Sequence, residues 1–232
     1  MIDGLEVIGK RLLKGCHGNL KLLILYGSES GNSDADYLAV FDNLLRSNSL
    51  TVGGVDLWAI SESELKEYIM LVDPFVTEPL LTGRLAYGSK QLLEGYRDDL
   101  KSTKISLRAI RYLLSRSVQS YIAACERLSK QEAPMYMLNR DYWSALSFSI
   151  SYWCYARLYA RDSRKAVALK TAIESSPQSV RRLWSDIQAR KNESANRTDA
   201  MLDTWTRILL RDMELEQRDK LDGHSTAFHG RK

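Results

Sequence analysis

The chain is 232 residues long, 44% hydrophobic and 27% charged, with a formal net charge of +4. That fits a soluble globular protein with one sizeable core, or a compact domain with a smaller one appended. The longest apolar runs, such as 22–26, are far too short to span a bilayer, and Cys16, Cys125 and Cys154 form neither a CxxC pair nor a zinc spacing, which argues against a membrane protein, a disulfide scaffold and a zinc module. Asp3 and Glu6 stand close behind Met1 with no long apolar stretch after them, so a cytoplasmic protein with reduced thiols is expected.

In chain order, Leu5, Ile8, Leu12 and Leu13 recur at helical spacing over 5–15. Residues 20–26 form a nearly continuous apolar run between Gly18 and Gly27, which predicts a buried strand. The small polar stretch 28–33 predicts a loop, 34–41 a second strand, and 52–60 a third that contains Gly53-Gly54. Ser61-Glu62-Ser63-Glu64 has the form of a capping box and predicts a helix over 62–72 that stops before Asp73-Pro74. From residue 104 the texture changes to long helical periodicity. Leu107, Ile110, Leu114, Val118, Tyr121, Cys125 and Leu128 recur at three and four, as do Tyr142, Leu146, Ile150, Trp153 and Arg157. Ser176-Pro177 marks a further helix start, and Met201, Trp205, Ile208 and Leu209 mark one more amphipathic helix.

These elements predict an α+β fold: a small mixed sheet with flanking helices over residues 1–100, a helical bundle over 101–218, and a flexible tail over 219–232. Charge divides in the same way. Residues 1–100 carry 9 Lys+Arg against 15 Asp+Glu, a net of −6, and residues 101–232 carry 24 against 14, a net of +10. An acidic half that binds metal and a basic half that faces a nucleic acid produce this pattern, as does the ordinary composition of solvated helices.

The chemistry-bearing stretch runs from Tyr26-Gly27-Ser28 through Asp34-Ala35-Asp36 to Val40-Phe41. Carboxylates at i and i+2 on a strand share a face, so Asp34 and Asp36 can converge on one hard cation. Asp56 lies inside another apolar strand, where an acid is costly unless it is paired or metal-bound. Two cations a few ångströms apart would relieve the repulsion among three such acids and clamp both oxygens of an in-line displacement. Gly27 permits close backbone approach to a phosphate, and Ser28 adds donors.

Strand-Gly-Ser, then Asp-x-Asp, then a lone Asp on a later strand resembles the signature of the DNA-polymerase-β-like nucleotidyltransferase superfamily. The likeness extends through Val55-Asp56-Leu57-Trp58 and a helix to Asp73-Pro74-Phe75-Val76-Thr77-Glu78-Pro79-Leu80. There it is similar to uncharacterised bacterial and phage nucleotidyltransferases, which carry Asn where this chain has Asp73. The resemblance covers roughly residues 20–88. It implies that Gly27 and Ser28 hold a nucleoside triphosphate, with ATP the first expectation, and that Asp34, Asp36 and Asp56 bind Mg²⁺ or Mn²⁺. Asp56 would also help to activate the incoming hydroxyl, and Glu78 is a further candidate without an assigned role. The implied reaction moves a nucleotidyl group to a hydroxyl of a small molecule, a protein or an RNA, with release of pyrophosphate. The loop between Ser28 and Asp34 is shorter than the family's usual one, and a catalytically silent nucleotide- or nucleic-acid-binding module is the alternative.

Other residues carry less. His17, His224 and His229 lack a partner at helical ligand spacing. Tyr142, Trp143, Phe148, Tyr152, Trp153, Tyr155 and Tyr159 could stack a base, but an aromatic stripe at this spacing more often builds core. Arg181-Arg182 and Arg190-Lys191 suit either phosphate contacts or a solvated helix face.

Overall fold

A computed structural model describes residues 18–27, 35–43, 48–52, 55–129, 135–161, 165–190 and 200–211. The predicted helix over 5–15, the loop 28–33 and the tail 219–232 lie outside these residues. The architecture is α+β, as the sequence pattern predicts.

Strands β1 (Leu20–Tyr26), β2 (Ala35–Phe41), β3 (Asn48–Val52), β4 (Val55–Ser61) and β5 (Arg84–Gly88) form one sheet in the order β3-β4-β2-β1-β5. β2 and β4 run parallel and the other pairs antiparallel, so the sheet is mixed. The run 52–60, read as one strand, is in fact two. Val52 and Val55 oppose each other as antiparallel partners, which places Val52 at the end of β3 and Asp56 near the start of β4. The polar start of β3, Asn48-Ser49, hid it from a search for apolar runs.

Alternation sorts the side chains onto two faces. Leu23, Tyr37, Ala39, Phe41, Leu57 and Ala59 form a buried cluster on one. Leu22, Ile24, Leu38, Val40 and Ile60 are fully buried on the other. Burial on both sides is why the central strands read as continuous apolar runs.

Helices α1 (Glu62–Leu71) and α2 (Pro74–Thr82) cover the second face, where the Trp58 ring meets Tyr68 at 5.4 Å and Phe75 at 5.2 Å. The capping box is present: Ser61 Oγ accepts from the Glu64 amide at 3.2 Å, and the Glu64 carboxylate accepts from the Ser61 amide at 2.8 Å. Val72 ends α1 in the left-handed region, at φ 48°, a costly conformation for a β-branched residue. α3 (Lys90–Ser102) supplies Arg97, whose guanidinium donates to the carbonyls of Leu80 and Gly83 at 2.7 Å each and so satisfies the end of α2.

Four helices follow as α4 (Leu107–Ser129), α5 (Met135–Arg161), α6 (Leu169–Glu174) and α7 (Gln178–Arg190), and residues 200–211 form α8. On α4 the apolar stripe does not mark the buried side. Leu107 and Val118 are exposed, and the buried line is Ala109, Leu113, Ser117 and Ala124. Apart from Leu113, small residues hold that line, and Ser117 is satisfied there by donating to the Ser149 carbonyl at 2.8 Å. On α5 the expected stripe is buried at Tyr142, Leu146, Ile150 and Trp153. No described helix is long and apolar enough to cross a membrane.

The chain divides into two compact units, Met1–Ser115 with Ser151–Ala172, and Arg116–Ile150 with Ile173–Lys232. The first holds the sheet, α1 to α3, the start of α4 and the end of α5. The second is helical, and in it Trp205 is fully buried and donates from Nε1 to Ser149 Oγ at 2.8 Å. The Tyr121 and Thr206 hydroxyls meet there at 2.8 Å.

Candidate active site

Three neighbouring strands bring Tyr26, Asp36 and Asp56 to one end of the sheet. Tyr26 ends β1 and is the register partner of Asp36, and Asp36 is in turn the register partner of Asp56. Register partners share a face. Asp36 therefore stands with Leu38 and Val40, and Asp56 with Trp58 and Ile60, on the face that α1 and α2 cover. Both aspartates are half-buried. Adjacent strands lie about 4.8 Å apart, a spacing at which two directly opposed aspartates could share a cation.

Gly27 follows at the end of β1 with φ +101°, a conformation that L side chains rarely adopt. A Cβ built there would stand 2.7 Å from Asp36 Oδ2, so only glycine leaves that carboxylate where it is. Burial, and then the charges of Asp36 and Asp56, push the Tyr26 phenol well above its ordinary value.

Paired aspartate oxygens are hard donors and suit Mg²⁺ or Mn²⁺. Among the described residues no three His, Cys, Asp or Glu side chains converge, and Asp36 and Asp56 are the acids paired in register. Asp34 and Ser28 lie outside the described residues, as do His17, His224, His229 and Lys191.

Glu78 sits on α2 and is not part of a three-carboxylate cluster with the aspartate pair. Its Oε2 accepts from the Leu169 amide at 2.8 Å and from the Tyr155 hydroxyl at 3.4 Å, which ties the start of α6 and the end of α5 to α2. Burial, and then the Glu78 charge, hold the Tyr155 phenol well above its ordinary value. Asp73 is 1% exposed and caps α2, accepting from the Phe75 amide at 2.8 Å through one oxygen. Its other oxygen accepts from the hydroxyls of Tyr112 and Tyr152.

The aromatic residues behave as core. Tyr142, Trp143, Tyr152, Trp153, Tyr155 and Tyr159 are buried, whereas Phe148 is exposed at 40%. Trp58, Phe75 and Tyr152 form a continuous aromatic contact, with Phe75 and Tyr152 at 6.3 Å. Arg181 and Arg182 are exposed on α7. Tyr26, at the head of the chemistry-bearing stretch, looks in the sequence like one more apolar residue of a strand. The available signal was its place at the strand's last position, directly before Gly27.

No family model matches the chain, and no curated protein does. Among solved structures, a nucleotidyltransferase-like protein from Exiguobacterium sibiricum 255-15 is similar at 8% identity over 90% of this chain and 74% of that one, with a TM-score of 0.38. A likeness that loose carries no weight, and the site rests on its own geometry.

Proposed function

We propose that the protein is a metal-dependent nucleotidyltransferase, which moves a nucleotidyl group from a nucleoside triphosphate, ATP first among them, to a hydroxyl acceptor. The observation that supports this reading best is the direct register pairing of Asp36 with Asp56 on parallel strands, beside a glycine that a side chain could not replace without displacing the Asp36 carboxylate. A divalent cation shared between two opposed acids offsets their mutual repulsion. Asp34, two positions before Asp36, adds a third carboxylate in sequence.

A bound Mg²⁺ or Mn²⁺ would neutralise triphosphate charge and polarise the α-phosphorus. The chain's own residues would orient the reactants. Gly27 would let the backbone approach the phosphates, with Ser28 as a further donor. Asp56 would accept the proton of the acceptor hydroxyl as its oxygen bonds to the α-phosphorus. The bond from the α-phosphorus to its bridging oxygen breaks, and pyrophosphate leaves with the electron pair.

The test is pyrophosphate release from each of the four nucleoside triphosphates with Mg²⁺ or Mn²⁺ and a cell extract as acceptor source, in wild type and in Asp36→Asn/Asp56→Asn. Release by wild type alone supports the reading, and label on the α-phosphate then identifies the acceptor class by product size. Binding of nucleotide without any release favours a catalytically silent module.

A further inference from the structure

We propose that the Tyr26 hydroxyl contacts the substrate, as a hydrogen-bond donor to a phosphate oxygen of the nucleotide held at Asp36 and Asp56. This rests on the nucleotidyltransferase reading and deepens it.

Position is the first support. Tyr26 is the last residue of β1, the register partner of Asp36, and stands on the face shared with Asp56. Its ring is half-buried, and strand geometry on both sides of Asp36 fixes where its Cα can be.

Complementarity is the second. Ionised carboxylates only accept hydrogen bonds, and so do phosphate oxygens. A shared cation reconciles the two sets of charges, but phosphate oxygens that do not touch the cation still require O–H or N–H donors. Among the described residues of β1, β2 and β4 that meet at this end on that face, Tyr26 carries a side-chain donor and the two aspartates do not.

Calorimetric titration of the full chain tests this, first with Mn²⁺ alone and then with α,β-methylene-ATP at saturating Mn²⁺, in wild type, Tyr26→Phe and Asp36→Asn. The expected result is that Tyr26→Phe binds Mn²⁺ as wild type does, binds the analogue about tenfold more weakly, and melts at an unchanged temperature. Equal affinity for the analogue in wild type and Tyr26→Phe overturns the proposal while leaving the nucleotidyltransferase reading intact. Equal weakening toward Mn²⁺ and the analogue also overturns it, because the hydroxyl would then act on the carboxylates. If wild type binds neither ligand, or binds no better than Asp36→Asn, the underlying reading fails and this inference falls with it. Should the Phe variant melt early, 3-fluorotyrosine at position 26 gives the same comparison. Its stronger donor should tighten analogue binding at constant Mn²⁺ affinity, and unchanged analogue binding rejects the contact.

Discussion

Gly27 and the Asp36 carboxylate are in such close approach that a single added carbon on Gly27 would come within 2.7 Å of Oδ2. Gly27→Ala should therefore act twice. The left-handed backbone at φ +101° strains any L residue by about 1–2 kcal/mol, which lowers the melting temperature by a few degrees. The displaced carboxylate should also weaken Mn²⁺ binding by about tenfold or more. Calorimetric titration beside a thermal melt separates the two effects, and a variant that loses stability but keeps full Mn²⁺ affinity rules out the second.

Asp73 should be a stability residue. Its loss to alanine removes a helix cap and one acceptor of the Tyr112 and Tyr152 hydroxyls, a combined cost of about 3 kcal/mol. Asp73→Asn keeps an acceptor for the Phe75 amide and should cost less. Urea unfolding of the two variants checks the order, and equal loss in both would contradict the separate role of the cap.

Glu78 should tolerate glutamine better than alanine. A Gln carbonyl can still accept from the Leu169 amide, whereas Ala leaves that amide and the Tyr155 hydroxyl without this acceptor, at about 1–3 kcal/mol. Hydrogen exchange at Leu169 gives the local readout, with fast exchange expected in Glu78→Ala and near-native protection in Glu78→Gln.

Alkali should destabilise the sheet-bearing unit earlier than an ordinary tyrosine content suggests. Tyr159 is pushed up to about 12 from 10.0, chiefly by burial and against the opposing Val167 amide. A folded value above the unfolded one means that the folded state holds the proton more tightly. Its stabilisation is complete below pH 10 and is lost as pH rises toward 12, about 2–3 kcal/mol in all. Tyr26 and Tyr155 are shifted in the same direction. Urea midpoints at pH 9 and 11 should fall steeply for wild type and less steeply for Tyr159→Phe. Parallel slopes would rule out this account.

Local rules made part of the fold legible. Ser61 and Glu64 announced α1, Asp73-Pro74 its end, and the run 20–26 a central strand, because each signal lies within a few residues of what it controls. β3 and β5 carried no such signal. Both are edge strands, and Arg84, Ala86, Tyr87 and Gly88 are exposed, so β5 has no apolar pattern to betray it. The buried side of α4 is not marked by the apolar stripe because Ala109, Ser117 and Ala124 pack there by being small, and an apolar stripe reveals only large residues. Of the candidate site, Asp36 and Asp56 stand out in the sequence as acids in apolar strands, and the structure pairs them in register. The closeness of Tyr26 to them was not legible, since it depends on which strands pair. Charge does not follow the division into two units. Residues 101–115 carry four Lys+Arg and no acid, and 151–172 carry five against one, yet both segments belong to the unit that carries the aspartates.

That discontinuous unit has a consequence for synthesis. The hydroxyl of Tyr152 that helps satisfy Asp73 is made 79 positions after it, and the Leu169 amide that meets Glu78 is made 91 positions after its partner. A nascent chain halted before residue 150 therefore carries every described strand of the sheet while both acids still await part of their support. The unit can close only when the ribosome has released the chain through roughly the end of α5 and the start of α6.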